Sequence, residues 1–162
     1  MPEKYLIEIS LGEQKLYLRC DDRIVAEYPV STARNGAGER LNSECTPRGR
    51  HRVTDKIGDG CAVDTVFIGR QPTGETYHHD LRAQHPERDW ILTRILRLEG
   101  IEEGLNKGGE VDTFSRYIYI HGAPDDVQMG VPGSHGCVRM RNQDILSLFD
   151  RVPPGTEVII RE

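Results

Sequence analysis

The chain opens on alternation. In KYLIEISLGEQKLYLRCDDRIVAEYPVS, short apolar or alternating runs at 4–9, 14–19 and 24–31 are separated by turn-prone SLGE and CDDR, which predicts a meander of antiparallel strands. The pattern then stops: STARNGAGERLNSECTPRG, 31–49, is polar with no period and reads as a long loop ending in a turn at Thr46, Pro47, Arg48 and Gly49. HRVTDKIG and CAVDTVFIGR restore two strands, and GRQPTGETYHHDLRAQHPERD, 69–89, reads as a second polar loop. In DWILTRILRL the apolar positions Ile91, Leu92, Ile95, Leu96 and Leu98 fit a helical face nearly as well as a buried strand, and the strand is the reading adopted. Glycines break the pattern at 99–115, before RYIYIHG, 116–122, returns strict alternation of β-formers.

Near the end the period changes. Ile145, Leu148, Phe149 and Val152 recur at helical spacing, with Asn142 placed to cap and Asp144 in the first turn. Pro153, Pro154 and Gly155 stop the helix, and TEVIIR forms a last strand. The result is a mainly β chain of seven to nine strands and one clear helix. It has no repeat and no linker, so residues 1–162 are expected to form one domain. At that length folding buries roughly 70% of the unfolded surface.

Composition narrows the classes. A net charge of −5 argues against non-specific nucleic-acid binding, and no stretch reaches the ~20 apolar residues of a membrane span. Cys20, Cys45, Cys61 and Cys137 stand far apart with no C-x-x-C, against a zinc knuckle or a dense disulfide scaffold. The start, MPEKYLIEIS, has no signal-peptide pattern, which sets the expectation of a cytoplasmic protein, or a periplasmic one if a leader preceded a Met1 that was added. No cofactor is called for, and the oligomeric state is open. Arg116, Arg139 and Arg141, with Asp125 and Asp126 between them, raise the prospect of a small cationic pocket suited to a carboxylate.

The candidate chemistry lies at GSHGCVRM, 133–140. A thiol with an ordinary pKa near 8.5 needs a base or a positive environment to act as a nucleophile. His121, at the end of its strand, and His135, two residues before Cys137, are the candidate bases. Gly136 leaves the main chain beside the sulfur open, so its N–H and that of Cys137 could face an oxyanion, and the Gly122 carbonyl could fix the His121 tautomer. On the residues alone, a buried inert thiol and a zinc site of His121, His135 and Cys137 stay open.

The combination of IHG at 120–122, a short Pro/Gly-rich loop and SHGCVRM at 134–140 resembles the L,D-transpeptidase catalytic domain family, also called YkuD-like. PVSTARNG before TPRGRHRV and NQDILSLFDRVPPGTEVII are similar to that family's strand, loop and closing helix and strand, while 70–115 carries no matching motif. The resemblance implies a β-sandwich of mixed sheets with one or two short helices. It implies Cys137 as nucleophile, His121 as base, the Gly122 carbonyl as its orienter, and His135 and Gly136 on the oxyanion side. Arg139 and Ser134 fall on the substrate side, Arg139 supporting the site or meeting a carboxylate and Ser134 chiefly shaping the loop.

The implied substrates are peptidoglycan stem peptides or soluble muropeptides. Cleavage after meso-diaminopimelate would release D-alanine through a thioester. The expected cytoplasmic location favours water as acceptor, an L,D-carboxypeptidase, over an amine that would make 3-3 crosslinks or exchange D-amino acids. A non-catalytic stem-peptide or zinc-binding module is the alternative of another class. His78, His79, Asp80 and His85 read as a solvated loop ahead of a metal site, LTRILRL as core with Arg94 and Arg97 reaching solvent, and Arg116 and Arg141 as surface charges.

Overall fold

The computed structural model describes residues 4–162; Met1, which bears on the leader expectation, lies outside them. The opening alternation becomes β1 (Tyr5–Ser10), β2 (Lys15–Cys20) and β3 (Arg23–Ser31), paired antiparallel in that order. β4 (Gly49–Ile57), β5 (Thr65–Ile68), β6 (Gln71–Thr76) and β7 (Ile91–Gly100) follow, then β8 (Tyr119–Gly122), β9 (Val138–Met140) and β10 (Glu157–Arg161). The helices are α1 (His79–Gln84) and α2 (Asn142–Arg151).

The fold is mainly β with mixed pairing. β1 with β10 and β8 with β9 are parallel, and the other pairs are antiparallel. The two walls of the sandwich belong to one ten-stranded sheet, ordered β4-β10-β1-β2-β3-β9-β8-β7-β5-β6, which β4 closes by also pairing with β7. The strand alternation now has a physical destination. Ile7 and Ile9, Leu16 and Leu18, Leu96 and Leu98, and Val138 and Met140 enter one buried core, completed by Ile145, Leu148 and Phe149 of α2. A smaller cluster of Val66, Leu81, Trp90 and Leu92 lies under the β5–α1 region.

Several expectations change. The 69–89 loop contains β6 and α1, which brings the strands to ten and the helices to two among the described residues. β6 pairs only with β5, so Pro72 sits on an edge strand where its missing donor is tolerated. β7 is a strand, and its helix-like pattern has a cause: it is buried without a break from Leu92 to Leu98, with Leu96 and Leu98 in the main core and Leu92 and Ile95 in two smaller clusters, so alternation disappears.

Arg94 and Arg97 are buried and do not reach solvent. Arg94 donates to the carbonyls of Cys61 and Thr93, and Arg97 donates to that of Phe114 while stacking 3.6 Å from its ring centroid. RYIYIHG yields a strand only from Tyr119, because Tyr117 takes a left-handed φ of 58° that ends the pleat. Thr46 bridges to Ala37 where a turn was expected. Asn142 is the first residue of α2 and not its cap, and its buried amide bonds Asp64, Asp125 and Thr93.

Candidate active site

Two adjacent parallel strands carry the site. The register Ile120↔Val138 and His121↔Arg139 sends Ile120, Val138 and Met140 into the main core. By alternation Tyr119, His121, Cys137 and Arg139 share the opposite face. The rigidity of the pair comes from that core: moving either strand would expose fully buried side chains, each worth about 1.5–3 kcal/mol.

His121 is wholly buried. Its Nδ1–H donates to the Gly122 carbonyl at 2.6 Å, which fixes the tautomer and leaves the lone pair on Nε2. Nε2 is buried with no hydrogen-bond partner. Burial also lowers the imidazole pKa, so the ring is held neutral and basic at one free nitrogen. Gly122 is required by space, since a Cβ there would stand 2.5 Å from the Leu92 carbonyl and 2.6 Å from Asn142 Oδ1.

Cys137 is half-buried and packs against the cluster of Phe67, Ile95 and Tyr119. Its sulfur accepts from the Tyr119 N–H at 3.3 Å and donates to the Tyr117 carbonyl at 3.4 Å. Burial pushes the thiol up to about 12; the Tyr119 N–H opposes this, Asp89 adds to it, and Arg139 and Arg116 oppose it. The resting pair is therefore a neutral thiol and a neutral imidazole, not a pre-formed thiolate.

The loop before Cys137 is held by short polar links. Ser134 Oγ donates to the Cys137 carbonyl at 2.6 Å and accepts from the Gly136 N–H at 3.2 Å. The Gly136 N–H thus points into its own loop, away from the oxyanion role expected of it, which leaves that of Cys137 as the candidate donor. Thr46 Oγ1 donates to the Gly136 carbonyl at 2.8 Å, so the long 31–49 loop clasps the nucleophile's loop from below. Gly136 has a φ of 132°, which an L side chain rarely adopts.

His135 is exposed and, with Arg139, lines a pocket of about 200 Å3. The expected cationic pocket of Arg116, Arg139 and Arg141 does not form. Arg141 is exposed, and Arg116 is half-buried, donating to the Cys45 carbonyl at 2.7 Å. In their place Arg82, Arg88, Glu87, Asp89 and Trp90 line the pocket, from the stretch that carried no motif. No sequence signal marked Asp89, which bonds Arg139 at 3.4 Å across 50 residues of chain. His78 accepts from the Leu81 N–H at the start of α1, and among the described residues no group of three His, Cys, Asp or Glu side chains is placed to hold a metal.

A buried imidazole with one free nitrogen, a thiol just before the neighbouring strand and a glycine-rich loop between them are the parts that cysteine-dependent acyl transfer requires, set in a mixed β fold. The YkuD family, described as the L,D-transpeptidase catalytic domain, matches residues 4–160, and the chain belongs to it. It is 38% identical over 162 residues to Bacillus subtilis (strain 168) "Putative L,D-transpeptidase YqjB", across all of this chain and 74% of that protein. It is 46% identical over 156 residues to Escherichia coli (strain K12) "Probable L,D-transpeptidase YcfS", across 95% of this chain but 43% of that one. Among solved structures, the L,D-transpeptidase from Mycobacterium smegmatis shares the fold, with a TM-score of 0.63 at 19% identity, over 99% of this chain and 59% of that one. The chain therefore spans less than two thirds of the length of these last two proteins.

Proposed function

We propose that Cys137 attacks the amide carbonyl after the meso-diaminopimelate residue of a peptidoglycan stem tetrapeptide. The sulfur forms a bond to the carbonyl carbon, the thiol proton passes to His121 Nε2, and the amide C–N bond breaks as that proton is delivered to the departing D-alanine amine. The observation that carries this reading is the buried, unpartnered Nε2 of His121, a base with its other nitrogen fixed by the Gly122 carbonyl. The Cys137 N–H faces the oxygen that gains charge, and Ser134 and His135 shape the loop around it.

Water is the acceptor we favour, giving a tripeptide and making the protein an L,D-carboxypeptidase. The names of the relatives favour a second reading, in which the amine of another stem peptide takes the acyl group. Either reaction could act on soluble muropeptides in the cytoplasm or on wall peptides outside it. Purified protein and tetrapeptide, with products weighed by mass spectrometry, test the proposal. Tripeptide with free D-alanine supports hydrolysis, a crosslinked dimer supports the amine acceptor, and unchanged peptide with unmodified Cys137 overturns the acyl-transfer reading.

A further inference from the structure

The strand beside His121 is distorted where the imidazole sits. β7 and β8 pair Leu92 with Gly122 and Ile95 with His121, so two residues of β7, Thr93 and Arg94, stand against a single step of β8 at the His121–Gly122 peptide. A bulge of this kind bends its strand and re-aims what packs against it. Thr93 takes a φ of 75°, a left-handed value that a β-branched residue adopts only when its surroundings impose it. Its side chain is fully buried.

The imposing contacts are polar. Thr93 Oγ1 donates to Asn142 Oδ1 at 2.5 Å and accepts from the Asp64 N–H at 3.1 Å. The Thr93 carbonyl accepts from Arg94 Nη1 at 2.6 Å, and the same nitrogen donates to the Cys61 carbonyl at 2.8 Å. Asn142, 2% exposed, has its amide orientation fixed by chemistry: Nδ2 donates to Asp64 at 3.0 Å and to Asp125 at 3.2 Å, and a flipped amide would turn its oxygen toward two carboxylates. Oδ1 is thereby held toward Thr93 and toward Gly122, where a Cβ would stand only 2.6 Å away. Neither Thr93 nor Asn142 has a part in the bond-making proposed for Cys137 and His121.

We propose that Thr93 and Asn142 are positioning residues for His121. Their hydrogen bond locks the bulge and sets the Asn142 amide against Gly122, which fixes the carbonyl that receives the His121 Nδ1–H at 2.6 Å and so the direction of Nε2. The proposal rests on the acyl-transfer reading and names what keeps its base in register. A base displaced by about 1 Å from its proton loses on the order of 100-fold in rate, so the backbone strain at Thr93 is offset by precision at the ring.

The test compares Thr93→Val, which keeps the shape and removes the hydroxyl, with Thr93→Ser, which keeps the hydroxyl; Asn142→Ala approaches the same contact from α2. Given tetrapeptide, Thr93→Val and Asn142→Ala should each lower the acylation rate constant about 10- to 100-fold with peptide affinity within twofold, and Thr93→Ser should stay within threefold of wild type. Without substrate, NMR of nitrogen-15 histidine should show His121 of the wild type and of Thr93→Ser protonated at Nδ1 alone, and that signal weakened or joined by the Nε2–H tautomer in the other two variants. Circular dichroism at the assay temperature selects the variants that are folded. Wild-type acylation and an unchanged Nδ1–H signal in folded Thr93→Val or Asn142→Ala overturn the proposal while acyl transfer stands, as does a loss of rate in Thr93→Ser equal to that in Thr93→Val. Wild-type protein that forms no thioester, or whose His121 carries its proton on Nε2, overturns the acyl-transfer reading and this proposal together.

Discussion

The floor and the wall of the cleft are built differently. The floor, β8 and β9, lies in the middle of the sheet order with strands on both sides, and its inward residues are fully buried in the main core. The wall, residues 71–90, is an edge strand and a six-residue helix resting on a small cluster of four buried side chains. The candidate base His121 sits on the floor and the candidate nucleophile Cys137 at its edge, where rigidity comes from packing. Arg82, Arg88, Asp89 and Trp90, which line the pocket beside Arg139, sit on the wall, where movement costs less.

The sharpest way to test this division is to remove the sulfur. Cys137→Ala should lower acylation by at least about four orders of magnitude, because the covalent step is lost, while the melting temperature stays within a few degrees. Substantial turnover remaining in that variant would place the nucleophile elsewhere. His121→Gln comes next, with a loss of about 10^2–10^4-fold in the acylation rate constant and little change in peptide affinity, since it removes a base and not a binding group. Single-turnover kinetics separate the two terms, and an effect confined to KM would refute the assignment.

On the wall, Trp90→Ala should cost about 3 kcal/mol of local stability by emptying the satellite cluster. Hydrogen exchange should accelerate in 71–90 while β8 and β9 stay protected, and uniform acceleration would show that floor and wall open as one unit. Gly122→Ala makes the reverse test at about 1–3 kcal/mol, because its Cβ meets backbone and the Asn142 amide on the floor. It should lower thermal stability and catalysis together.

The same contrast explains what could be read from the sequence. His121, Gly122 and Cys137 could be singled out as candidates because their pattern is local: a strand end, an open glycine and a thiol in a glycine-flanked loop, with the family resemblance joining them. Asp89 was not legible, since its meaning arises only when the chain brings it to Arg139. β6 hid behind a proline and a glycine that an edge strand tolerates, and α1 is too short to show a period. Arg94, Arg97 and Arg116 were misjudged for one reason. A guanidinium counts as a surface group until backbone carbonyls and aromatic rings surround it, and those partners come from distant segments. The direction of the Gly136 N–H was likewise invisible, because it depends on the rotamer of Ser134.

The smallest expected effect links wall to floor. With the thiol pushed up to about 12 by burial, iodoacetamide should alkylate Cys137 slowly at pH 7, and the rate should rise about tenfold per pH unit through pH 10 as thiolate accumulates. The Asp89 carboxylate disfavours a second negative charge at the sulfur, so Asp89→Asn should lower the thiol pKa and raise the rate at any fixed pH in this range. Arg139 favours that charge, so Arg139→Gln should slow the reaction by the same logic. Burial, the dominant cause, is untouched in both variants, and the slope against pH should stay the same while the curves move apart. If Asp89→Asn left the rate unchanged or lowered it, the carboxylate would not act on the sulfur.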